Sequence, residues 1–170
     1  MTTESTVPEV LHVWAIYLRA SEEARRRGDR RTGTDHLLLA LLEDHSVEVE
    51  LGVSLEQARQ ALATLDQEAL GILGVTPGTD APPLPMRAVP KKPTFRAVIN
   101  KDRPRLTPVA KKVLEQAVKP HRRKTHVTAQ QVLAQILALQ PPDPAAVLLG
   151  SLGVSSSEAR RRFDAVTPDS

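Results

Sequence analysis

The chain has 170 residues, of which 41% are apolar and 25% charged, with a formal net charge of +3 and a sequence pI of about 9.5. Cysteine is absent, which excludes disulfides, thiolate metal sites and cysteine nucleophiles, and fits a reducing cytoplasm. Aromatic residues make up only 2%, so the core has to be built from Leu, Val, Ile and Ala, and this favours helix-on-helix packing over a sandwich.

In chain order, Ser5 or Thr6 ahead of Pro8 predicts a helix start, since proline is tolerated in the first turn. Val10, Leu11, Trp14, Tyr17 and Leu18 then form one apolar stripe, with Trp14 as a core anchor and Gly28 as a stop. Arg25 to Arg31 is a basic connection. Thr34 is expected to cap the next helix, with Asp35 set against its dipole and His36 packed and hydrogen-bonded. Leu37 to Leu42 is apolar all round, the pattern of a helix buried on most sides. Ser46 to Glu50 reads as a short segment without a helix of its own. Ser54 to Gln57 is a capping box, and Leu55, Ala58, Leu62, Leu65 and Ala69 carry a long helix ending near Gly71 or Gly74.

From Val75 to Arg105 the prolines rule out a continuous helix and predict an extended linker, with a strand-like pattern at Thr94 to Ile99. Order resumes with Thr107 as cap and Pro108 in the first helical turn, over the stripe Val109, Val113, Leu114, Ala117 and Val118. Lys119 to Lys124 is again basic. Thr128 to Gln131 is a second capping box, opening a helix from Val132 to Leu139. Asp143-Pro144 starts a short helix over Ala145 to Leu149, and Ser155 opens the last one, which runs to about Val166.

Helix starts, basic connections and capping boxes recur in order, so the chain reads as an internal repeat. Thr34 and Thr128 lie 94 positions apart (128 − 34), while Ser54 and Ser155 lie 101 apart (155 − 54), which implies a seven-residue insertion in the second half. The expectation is one all-α domain over 1–170. It would comprise two pseudo-twofold-related four-helix repeats, 8–73 and 106–167, joined by a long Pro-rich linker at 74–105.

Ala20-Ser21-Glu22-Glu23-Ala24-Arg25-Arg26, Gly33-Thr34-Asp35-His36-Leu37-Leu38-Leu39 and Leu51-Gly52-Val53 together resemble the Clp N-terminal repeat. The pattern returns as Leu106 to Leu114 and as Ser151-Leu152-Gly153-Val154. The resemblance is to the N-terminal domain of ClpC-type AAA+ unfoldases and spans about 8–73 and 106–166. It implies a non-enzymatic module that receives Clp substrates, adaptors or ClpC-type unfoldase and protease components, or small compounds that target such domains. Some members recognise phosphorylated arginine through a Thr-Glu pair at this helix start. Carried over, Thr34 and Asp35 form the exposed ligand-binding start of the first repeat. In the second, Thr128 is retained and Ala129 stands where the acid belongs, so any site is single. The chain contains no Gly-x-x-x-x-Gly-Lys-[Ser/Thr] phosphate loop, and a free-standing domain without ATPase modules is expected.

The basic connections precede equivalent helix starts, so Arg30, Arg31, Arg122, Arg123 and Lys124 could converge on one anion-attracting surface. His121 and His126 sit among cations, which opposes metal binding. No cofactor is implied, and neither a Gly-x-Ser-x-Gly elbow nor His-Glu-x-x-His occurs, so no enzyme is expected. Without a bilayer-length apolar run or a secretory signal, the expected location is the cytoplasm. The alternative is a basic helical nucleic-acid-binding protein, motivated by the same connections and the linker Arg87 to Arg105. Few aromatics are available for base stacking.

Overall fold

A computed structural model describes residues 10–72, 74, 104–119 and 126–166. The predicted strand at Thr94 to Ile99, the helix start at Pro8, most of the linker and the basic residues Arg122, Arg123 and Lys124 lie outside the described residues.

The described residues are mostly helical. The first half contains β1 (Val10–His12), α1 (Val13–Arg27), β2 (Arg31–Thr32), α2 (Thr34–Leu41), α3 (His45–Leu51) and α4 (Leu55–Ile72). The second contains β3 (Arg105–Leu106), α5 (Pro108–Val118), β4 (His126–Thr128), α6 (Ala129–Leu137), α7 (Pro144–Ser151) and α8 (Ser156–Val166).

Local chemistry explains most helix ends. Gly28 stops α1 in the left-handed region (φ 79°), a conformation that glycine adopts without steric cost. Thr107 caps α5, with Pro108 following, and Asp143 caps α7 by accepting the Ala145 N–H. Ser54 and Gln57 exchange the two bonds of a capping box, and so do Thr128 and Gln131.

Three sequence expectations are corrected. The helix expected from Pro8 onward starts at Val13 among the described residues, because Val10–His12 is drawn into a strand and His12 supplies the cap through the Trp14 N–H. Its buried face is Ile16, Ala20, Ser21, Glu23 and Ala24, which leaves Trp14 42% exposed with its ring against Tyr17. The segment after Leu42 is a true helix, α3, because Asp44 accepts the Ser46 N–H as its cap.

The core is organised around α2, every residue of which is buried. It touches α1 and α4 of its own half and α5, α6 and α7 of the other. Leu37, Leu38, Leu39 and Leu41 therefore face protein on all sides, and truncating any one to alanine is worth about 3 kcal/mol.

The halves also exchange backbone. β1 pairs antiparallel with β4 and β2 pairs parallel with β3, so each two-stranded ribbon takes one strand from either half. The Pro104 carbonyl accepts from the Thr32 and Tyr17 hydroxyls, fixing the start of the second half against the first.

Candidate functional site

Asp35 lines a cleft of about 650 Å3 where the two halves meet. Its polar wall is Arg27 and Asp29 from the end of α1, Gly33 and His36 at the start of α2, and Asp66 on α4. Arg30 and Arg31 stand exposed beside it. Leu62 and Leu65 form an apolar side, and the second half contributes Thr107, Pro142, Pro144 and Val147. Volume and mixed lining are those of a small-ligand or side-chain pocket.

The start of α2 is built differently from the expectation. Gly33, not Thr34, occupies the cap position, and its N–H donates to His36 Nδ1 at 3.0 Å. His36 thereby does for Gly33 what Gln131 does for Thr128. The caps therefore align Gly33 with Thr128, an offset of 95 (128 − 33), one more than the threonine match implied. In this frame Thr34 corresponds to Ala129, and the counterpart of Asp35 is Gln130. No acid occupies that position in the second half, but the residue in its place is Gln130 and not Ala129.

Thr34 is 1% exposed and Asp35 8%, so the pair is not the open surface that the sequence suggested. The Thr34 hydroxyl donates to Asp143 Oδ1 at 2.7 Å, across the halves. On the opposite side, Gln130 Nε2 donates to the Ser46 hydroxyl, itself bonded to Asp44. The start of α2 thus meets the α7 cap, and the start of α6 meets the α3 cap. Thr34 serves this junction, whereas Asp35 faces the cleft.

Asp35 lies within a charged cluster. Its Oδ1 is 3.2 Å from His36 Nδ1 and its Oδ2 is 3.9 Å from Arg27 Nη1. Burial opposes its ionisation, but the bonds and charge of His36, with the charge of Arg27, outweigh that and hold the carboxyl below its usual range. His36 Nε2 lies 2.9 Å from Asp29 Oδ2. Burial works against the imidazolium, yet Asp35 and Asp29 together raise the histidine above its ordinary value. In the neutral ring Nδ1 accepts from Gly33; in the imidazolium both nitrogens donate, to Asp35 and Asp29. Asp35 is therefore a carboxylate at neutral pH, and the chemistry available to it is recognition of a cation. Among the described residues no His/Cys/Asp/Glu group is arranged to hold a metal.

The sequence profile of the Clp repeat (R) N-terminal domain matches residues 11–149. The chain belongs to the Clp repeat N-terminal domain family. That places this Clp repeat domain among the protein-interaction modules of the Clp system. The fold is similar to the crystal structure of the N-terminal domain of the caseinolytic protease-associated chaperone ClpD from Arabidopsis thaliana. The TM-score is 0.59 at 16% identity, covering 98% of each chain. No curated protein sequence matches the chain.

Two features of the site escaped the sequence reading. The sequence marks Arg27 only as part of the basic connection Arg25 to Arg31, yet it enters the cleft. Thr107 was read only as a cap, yet it also lines the cleft. The nucleic-acid alternative rested largely on residues outside the described ones, and no helix among the described residues is long and apolar enough to cross a membrane.

Proposed function

We propose that this Clp repeat domain is a cytoplasmic receiving module that binds Clp clients, adaptors or ClpC-type components through the Asp35 cleft, and that it takes arginine side chains there, phosphoarginine included. The observation that carries the reading is a cleft, walled by both halves, in which a buried carboxylate lies beside exposed arginines. A guanidinium needs a carboxylate partner, which Asp35 supplies. A phosphate attached to it would face Arg30 and Arg31, and Leu62, Leu65 and Val147 offer apolar surface to the aliphatic stem. Thr34 acts by anchoring the start of α2 to Asp143. We place the division into repeats at about 8–73 and 106–167. The Thr128 helix start carries no second site, because Gln130 is neutral and engaged with Ser46.

Isothermal titration with phosphoarginine tests the ligand. Binding in the millimolar range or tighter, lost in Asp35→Ala, is expected. No heat at millimolar ligand, or equal binding by Asp35→Ala, removes the assignment. Pull-downs from lysate test the wider role, and recovery of neither Clp components nor their substrates would sink it.

A further inference from the structure

The cleft already contains a guanidinium. Arg27 Nη2 is 2.5 Å from Asp66 Oδ2, its Nε is 3.3 Å from Asp29 Oδ2, and its Nη1 is 3.9 Å from Asp35 Oδ2. One arginine from the end of α1 thus meets carboxylates on three segments. We propose that Arg27 is an internal occupant of the acidic cleft, holding the place of a ligand guanidinium and so setting which ligands can enter. This deepens the reading of the cleft as a guanidinium receptor and rests on it.

The geometry makes the occupant displaceable. Its two shorter links go to Asp29 and Asp66, whose side chains are 40% and 55% exposed, and pairs at that level of exposure contribute little. Its contact with Asp35, the buried carboxylate, is beyond hydrogen-bond distance. Nη1 is itself buried and finds no hydrogen-bond acceptor among the described residues. Arg27 therefore fills the cleft without satisfying its own buried Nη1. A guanidinium that reaches Asp35 in a two-bond arrangement has better geometry than the resident one. A ligand that also brings an anion offers Nη1 an acceptor, drawing Arg27 off the acids, whereas a bare guanidinium offers none. The occupant thus favours arginine carrying a negative group over arginine alone.

The test uses ethylguanidinium, a cation with neither phosphate nor amine, followed by NMR titration of the whole chain. Arg27→Gln keeps a hydrogen-bonding head for Asp66 but removes the charge, and it should bind the probe about tenfold tighter than wild type. Adding Asp35→Asn should abolish the gain. Arg25→Gln removes an equal charge on the same helix, outside the cleft lining, and should change affinity by less than about twofold through screened long-range repulsion. A structural role for Arg27 predicts weaker binding on its loss, so unchanged or weaker binding by Arg27→Gln overturns the proposal. So does a gain no larger than that of Arg25→Gln. Should Arg27→Gln fail to fold by circular dichroism, Arg27→Lys decides: it cannot span the three acids, and it should bind the probe more tightly than wild type. Because the probe lacks phosphate, failure here is distinguishable from failure to bind phosphoarginine.

Discussion

The hydroxyl of Thr34, at the start of α2, donates to the carboxylate of Asp143, the cap of α7, across the junction of the two halves at 2.7 Å. The same oxygen lies 3.4 Å from the Ala145 N–H, so it is shared between two helix starts. Thr34→Val keeps the shape and removes the bond, and should cost about 1–2 kcal/mol of stability in urea unfolding. Guanidinium binding at Asp35 should be unchanged. Intact stability with lost binding would mean that Thr34 contacts the ligand after all.

Gly33 is required for space, since its φ of −91° is open to any residue. A Cβ there would overlap Asp35 Oδ1. Gly33→Ala should push the carboxylate away from His36, at a cost of about 1–2 kcal/mol. The histidine pKa, read by NMR, should fall toward its ordinary value. A variant with an unmoved histidine titration would show that the acid has room.

His36 makes stability depend on pH. Its pKa is raised in the folded state, so the stabilisation is fully present below about 6.5, the unfolded value, and is lost as pH rises through the folded value. Asp35 has the opposite sign: its contribution is present above its unfolded value and is lost as pH falls through the depressed folded one. His36→Gln preserves a side-chain acceptor for the Gly33 N–H, as Gln131 does for Thr128, but cannot titrate. The stability advantage of wild type over His36→Gln should shrink as pH rises above about 6.5, through the raised folded value. An advantage that grows as pH rises above that point would contradict the assignment.

Glu23 is buried on α1, with Arg59 of α4 bonded to both of its oxygens and Arg26 at 3.6 Å. Arg59→Met leaves that carboxylate with only the outlying Arg26, and should cost about 2–3 kcal/mol. Replacing both partners by apolar residues should recover much of the loss. A double variant worse than either single one would mean that the pair contributes through packing and not charge.

What the sequence disclosed and what it hid divide by range. Thr107-Pro108, Ser54-Gln57 and Thr128-Gln131 could be read because a cap and its partner lie within one helical turn. The leucine block of α2 could be read because it is apolar on every face. Glu23 with Arg59 and Thr34 with Asp143 could not, since each partner is 36 or 109 positions away and neither residue type announces the other. Trp14 misleads for a related reason: Val10 and Leu11 of its stripe pair as a strand with the other half, and Ile16, Ala20 and Ala24 form the buried face of α1 instead. The threonine match between the halves was off by one because His36 can act as the third-turn-position acceptor that glutamine supplies elsewhere, freeing the cap position for glycine.

The exchanged strands have a consequence for how the molecule could be divided. Every described contact between the halves is non-covalent, and each half presents an edge that only the other completes. Fragments ending at 74 and beginning at 104 should therefore behave as complements, each leaving the leucines of α2 or their partners unclad until mixed. Reconstitution would bring back the apolar wall at Val147 and the threonine at 107 together with Asp35. The cleft belongs to neither fragment; it comes into being when they meet.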